Sequence, residues 1–116
     1  MVHHISFKYA LAGIKYAFTT QPNFRIHGLI GIAVLIAGLF LGLATTEWLV
    51  ILLTITLVLS AEMINTALEA ITDLVEEKYH HQAKVAKDVS AGMVLLTAIA
   101  SIIVGLVIFI PKFLNS

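Results

Sequence analysis

Residues 48–73, WLVILLTITLVLSAEMINTALEAITD, join a long apolar run to a strip of polar side chains at helical spacing. From Trp48 through Ala61 no residue is charged; Glu62, Asn65, Glu69 and Asp73 then follow at intervals of three and four. At 100° per residue these four fall within an arc of about 80°, and Thr66 joins them. Glu62 lies about 21 Å along such a helix from Trp48, within or at the edge of a hydrocarbon layer roughly 30 Å thick. The stretch therefore predicts a membrane-crossing helix whose last turns carry a carboxylate strip down to one surface of the bilayer.

Two further apolar stretches flank it, Gly28 to Ala44 and Val89 to Ile110, the latter ending at Pro111. Backbone polar groups in lipid must be paired within the chain, so spanning segments are helices unless they close a barrel. Three spans cannot close one, and none alternates strictly. The expected fold is an all-α membrane protein with spans at about 25–44, 48–75 and 86–110 in one domain covering 1–116. Thr45-Thr46-Glu47 is the expected hairpin between the first two spans. Ahead of them, Phe7, Ala10, Leu11, Ile14, Ala17 and Phe18 recur on one face with Lys8 and Lys15 elsewhere, which predicts an amphipathic surface helix over about 6–20. Thr20-Gln21-Pro22 ends it, and Pro22 suits the first turn of the next helix.

Composition agrees. Of 116 residues, 59% are hydrophobic and 12% charged, whereas soluble domains are about one-quarter charged. The net charge of zero gives no field to gather nucleic acid, and the absence of cysteine rules out disulfide and thiolate chemistry. The start of the chain lacks the pattern of a cleavable signal. Six of the seven Lys and Arg lie before the first span or between the second and third (Lys8, Lys15, Arg25, Lys78, Lys84, Lys87), and only Lys112 follows the last. The positive-inside bias then puts the N-terminus in the cytoplasm of a multi-pass plasma-membrane protein and the C-terminus outside. Trp48 suits the aromatic belt at the outer end of its span.

Ionisable groups near a membrane core usually carry function. Lys84, Lys87 and Asp88 share a face near the same end of the third span. Carboxylates opposite lysines at a water–lipid boundary can hold a divalent cation and nucleotide phosphates, since magnesium takes one or two carboxylates plus phosphate oxygens. Phosphoryl transfer then needs a base for the attacking hydroxyl and positive charge about the migrating group. Two other readings stand beside this one. Glu62, Asn65 and Asp73 can instead be polar glue between helices in a non-catalytic membrane subunit. Glu62, Glu69 and Asp73 can also line a small ion- or proton-conducting oligomer, although the strip stops at Glu62, leaving only Ser60, Thr56 and Thr54 beyond it. Glu76, Glu77 and Lys78 read as a solvated charge run, and adjacent His80 and His81 do not form a metal pair. No Gly-rich loop leading to Lys-Ser/Thr, His-Glu-x-x-His or nucleophile elbow occurs.

Residues 61–80, AEMINTALEAITDLVEEKYH, and 83–96, AKVAKDVSAGMVLL, resemble the prokaryotic diacylglycerol kinase family, which includes undecaprenol kinases. The likeness extends to Asn23-Phe24-Arg25-Ile26-His27 and Ala12-Gly13, and covers roughly Phe7 to Ile110. The resemblance implies a homotrimer that transfers the γ-phosphate of Mg-ATP to the hydroxyl of a membrane lipid, diacylglycerol or undecaprenol, at the cytoplasmic face. It implies Glu62 as catalytic base with Asn65 beside it, and Glu69 as a magnesium ligand that also serves the nucleotide site. It further implies Lys87 with Asp88 as a nucleotide-contacting pair, Tyr79, His80 and Tyr9 as nucleotide contacts, and Asn23, Phe24 and Arg25 on the lipid side with Glu62. One position departs from the pattern: three residues before Phe24 the best-studied members of the family carry a second metal-binding glutamate, and here Gln21 stands. An amide oxygen without charge predicts weaker magnesium binding there.

Overall fold

A computed structural model describes residues 6–75 and 80–115. Among the described residues four helices follow one another: α1 (Phe7–Thr20), α2 (Pro22–Leu41), α3 (Thr45–Thr72) and α4 (His81–Leu114). The last three are long and apolar enough to cross a membrane, at about 30, 42 and 51 Å by helical rise. This is an all-α membrane protein.

Gln21 separates α1 from α2 because the residue before a proline is pushed out of the helical region, and its φ of −114° and ψ of 103° are extended. Pro22 then opens α2, where its missing N–H costs nothing. The corner is fastened by Arg25, whose Nη1 donates to the Phe18 carbonyl at 2.8 Å, meeting an acceptor left over at the end of α1.

The turn between α2 and α3 falls earlier than the sequence suggests. Gly42 adopts the left-handed conformation (φ 70°) that a helix C-terminus favours, its N–H bonding the Gly38 carbonyl at 3.0 Å. Thr45, Thr46 and Glu47 consequently form the first turn of α3 rather than the hairpin. Glu47 supplies the acidic half of a capping box, accepting from the Ala44 N–H at 2.9 Å. Its Oε1 also meets Lys112 Nζ at 3.0 Å, tying the start of α3 to the end of α4. Gly38 permits the close approach at this turn: a Cβ there would lie 2.8 Å from Leu43 Cδ1 and 2.9 Å from Trp48 Cη2.

At its other end α3 stops at Thr72, while α4 starts at His81, well before the apolar stretch begins, and runs through Pro111 to Leu114. Pro111 removes one backbone donor without ending the helix, and Asn115 N–H closes the last turn on the Pro111 carbonyl at 3.0 Å. α3 is the central element, packing mainly against α4 and less extensively against α2, with α1 laid across the polar end of α2 and α3. Ala17 is the buried residue of α1, whereas Phe7, Leu11, Ile14 and Phe18 are uncovered. Apolar side chains all along the spans are likewise bare, including Phe40 (87% exposed) and Leu96 (69%), as lipid-facing or partner-facing surfaces are.

Candidate active site

Burial singles out one carboxylate. Glu62 is 2% exposed, and its Oε1 has no hydrogen-bond partner. A buried polar atom left unpaired is costly, and native structures leave few of them without reason. Its ionisable neighbour is His27 on α2, whose Nε2 stands 3.6 Å from Oε1, too far for a hydrogen bond. Helical periodicity explains the placement: Ala61, Glu62 and Thr66 are all buried on α3, so the strip's upper end points inward.

Below Glu62 the strip is wired to α4. Asn65 Nδ2 donates to Glu69 Oε1 at 2.6 Å, and Ser90 Oγ donates to Asn65 Oδ1 at 2.7 Å. These two contacts fix the amide: its NH2 faces the carboxylate and its carbonyl faces the hydroxyl. Ser90 is 3% exposed, and its proton is shared with the Lys87 carbonyl at 3.0 Å. Further down, Lys87 Nζ meets Asp73 Oδ1 at 2.7 Å across the two helices. Asp88 pairs with Lys84 at 2.7 Å on the exposed side of α4.

The remaining expected residues lie around this column. Gln21 is half-buried at the α1–α2 corner, its Nε2 on Thr20 Oγ1 at 3.3 Å. Asn23 is exposed, Phe24 is buried and Arg25 is committed to the Phe18 carbonyl. Tyr9 is 73% exposed on α1, and His80 is exposed at the start of α4. Tyr79, with Glu76, Glu77 and Lys78, lies outside the described residues. Among the described residues no three His, Cys, Asp or Glu side chains converge as a metal site would.

Ser90 and the Glu62–His27 pairing escaped the sequence reading. The signal for Ser90 was its place three residues after Lys87, one turn deeper on the same face. Nothing in the sequence brought His27 to Glu62, because that contact depends on how α2 packs on α3.

Among the described residues, three helices long and apolar enough to span a bilayer, with a buried carboxylate and a polar network at one end, define a multi-pass membrane protein whose buried polar side chains gather at one end of its helices. The family is equally plain. The profile of prokaryotic diacylglycerol kinases matches residues 8–109, and the chain belongs to that family. A diacylglycerol kinase of Synechocystis sp. is 50% identical over 112 residues, 96% of this chain and 64% of that protein. An undecaprenol kinase of Bacillus subtilis is 44% identical over 107 residues, 92% of this chain and 87% of the relative. A diacylglycerol kinase of Haemophilus influenzae is 30% identical over 105 residues, covering 90% and 89%.

Proposed function

We propose that the chain is an ATP-dependent lipid kinase that phosphorylates the hydroxyl of a membrane lipid, diacylglycerol or undecaprenol. The observation that carries this reading is Glu62: a buried carboxylate oxygen with no protein donor, where α3 passes from its apolar run to its polar strip. In the reaction the lipid oxygen attacks the γ-phosphorus, Glu62 Oε1 takes the hydroxyl proton, and the bond to the β-phosphate oxygen breaks to release ADP. His27 is the ring beside Glu62, 3.6 Å from its Oε1. Lys87 and Lys84 supply positive charge for the nucleotide phosphates, exchanging Asp73 and Asp88 for them, and the family resemblance adds Tyr9, Tyr79 and His80 as nucleotide contacts.

The donor set fits magnesium. Glu69 is half-buried, is steadied by Asn65 through one oxygen and keeps the other for a ligand. Magnesium takes one or two carboxylates with phosphate oxygens rather than a protein cage, and when bound it neutralises charge on the β- and γ-phosphates. Glu69 is the principal holder, with the Gln21 amide oxygen as the weaker second. Asn23 and Arg25 at the start of α2, with Phe24 buried beneath them, border the lipid's path. The family resemblance supports a homotrimer, and the lysine distribution supports a cytoplasmic N-terminus and an external C-terminus in a bacterial plasma membrane.

The conducting-oligomer alternative lacks a path. Beyond Glu62 the hydroxyls of Thr54 and Thr56 bond the carbonyls of Val50 and Leu52 on their own helix at 2.7 and 2.8 Å. Phosphate transfer from labelled Mg-ATP in lipid nanodiscs tests the kinase reading, with each lipid offered separately and Glu62→Gln alongside. Labelled lipid from the parent and none from the variant supports it. No labelled lipid from the well-folded parent up to high magnesium refutes it for these acceptors and returns attention to a non-catalytic role.

A further inference from the structure

One cavity outside the polar column begins where the column ends. It lies between α2, α3 and α4, has a volume of about 80 Å³, and is lined among others by His27, Val34, Ile55, Val58, Ser101 and Gly105. Val58 is one helical turn from Glu62, and His27 is its 3.6 Å neighbour, so the cavity opens beside the carboxylate. From Val58 to Ile51 it follows α3 for about 10 Å toward the middle of the span, away from the polar end.

Its chemistry is that of hydrocarbon. Thr54 and Ser101, its hydroxyl-bearing walls, turn their protons onto the Val50 and Ala98 carbonyls of their own helices, each at 2.7 Å. An ordered water needs two to four polar partners, and with both hydroxyl protons committed only acceptor lone pairs and the His27 ring remain among mostly aliphatic walls. The space is also too narrow for a neighbouring helix, which is about 10 Å across. Two glycines border it and behave differently. A Cβ on Gly31 would meet Ile55 Cγ2 at 3.2 Å, so that glycine lets α2 approach α3. A Cβ on Gly105 would meet nothing within 4 Å, so within the protomer this glycine weakens α4 without any packing return and leaves room unfilled.

We propose that this cavity seats the head-proximal segment of one hydrocarbon chain of the acceptor lipid, guiding its hydroxyl onto Glu62. A hydroxyl held at Glu62 by an amphiphile whose chain must enter the bilayer has this channel directly in front of it. The inference rests on the lipid-kinase reading and adds where the acceptor's chain runs.

Gly105→Leu tests it, because leucine is a better helix former than glycine and its side chain fills the vacant space. Each methylene kept out of an apolar site weakens partition about four-fold, so excluding two raises the lipid KM about fifteen-fold. The KM for Mg-ATP is expected to stay at the parent value. An unchanged lipid KM overturns the proposal, as does a fall in kcat with both KM values altered, which marks helix packing instead. A second measurement uses the unaltered protein in nanodiscs, with a diacylglycerol bearing a photoreactive diazirine near the glycerol end of one chain. Adducts on Val34, Ile55 or Val58 support the proposal. Adducts confined to the α1–α3 crevice at Met63, Ala67 and Ala70, or to other outward surfaces, overturn it. Turnover of the parent in the same nanodiscs separates the two readings: no phosphorylation defeats the kinase, whereas phosphorylation with an indifferent Gly105→Leu defeats only the cavity.

Discussion

Replacing Ser90 with alanine isolates the bridge between α3 and α4. The substitution removes the donor to Asn65 Oδ1 at a residue only 3% exposed, and leaves the amide anchored by Glu69 alone. Hydrogen bonds between membrane helices average about 0.6 kcal/mol and reach about 1.7, which corresponds to about three- to eighteen-fold in an equilibrium constant. If the bridge exists to hold Glu69 toward a metal, that factor is the ceiling on the rise in the magnesium concentration needed for half-maximal phosphate transfer. Ser90→Thr keeps the hydroxyl and is expected to stay near the parent. Magnesium titrations of lipid phosphorylation at saturating ATP, set beside unfolding measurements in the same bilayer mimic, read both quantities. A Ser90→Ala protein that unfolds more easily yet keeps the parent's magnesium midpoint refutes the positioning argument, because the bond then serves only assembly.

Gln21→Glu restores a charged oxygen at the α1–α2 corner and is expected to lower the magnesium midpoint; an unchanged midpoint removes Gln21 from the metal's surroundings. Gly38→Val places a Cβ 2.8 Å from Leu43 and 2.9 Å from Trp48, and is expected to destabilise the fold by about 1–3 kcal/mol, read by denaturant unfolding in detergent. Asp73→Asn breaks the pair with Lys87, in which Asp73 is 63% exposed, so the stability loss is expected below about 1 kcal/mol. Because that change also removes one carboxylate that competes with phosphate for Lys87, the KM for Mg-ATP is expected to hold or fall; a large rise refutes the exchange of Asp73 for phosphate.

What the sequence made legible follows from periodicity. The polar strip on α3 needs only a 3.6-residue repeat, and Pro22 and Gln21 announce the first corner by local sterics. The second corner was displaced by three residues because Gly42, not the polar Thr45-Thr46-Glu47, supplies the left-handed cap. Pro111 looked like an end but is tolerated within α4. Contacts between helices were harder to foresee. The Lys87–Asp73 contact and the places of Ser90 and His27 became informative only once α4 and α2 were set against α3.

The unequal lengths of the helices turn the bilayer into a ruler. α2, of 20 residues, barely matches a typical hydrocarbon layer, while α3 and α4, of 28 and 34, run on past its start as a two-helix stalk. Glu62 stands at the foot of that stalk, and its distance from water is set by how much of α3 the lipid covers. In a thicker membrane the helices tilt or the bilayer thins around them, each at a fraction of a kcal/mol per ångström. On the proposed kinase reading, a nucleotide held by Lys84 and Lys87 reaches Glu62 across a depth that the host membrane helps to choose, and lipid chain length then acts on the reaction from outside the protein's own sequence.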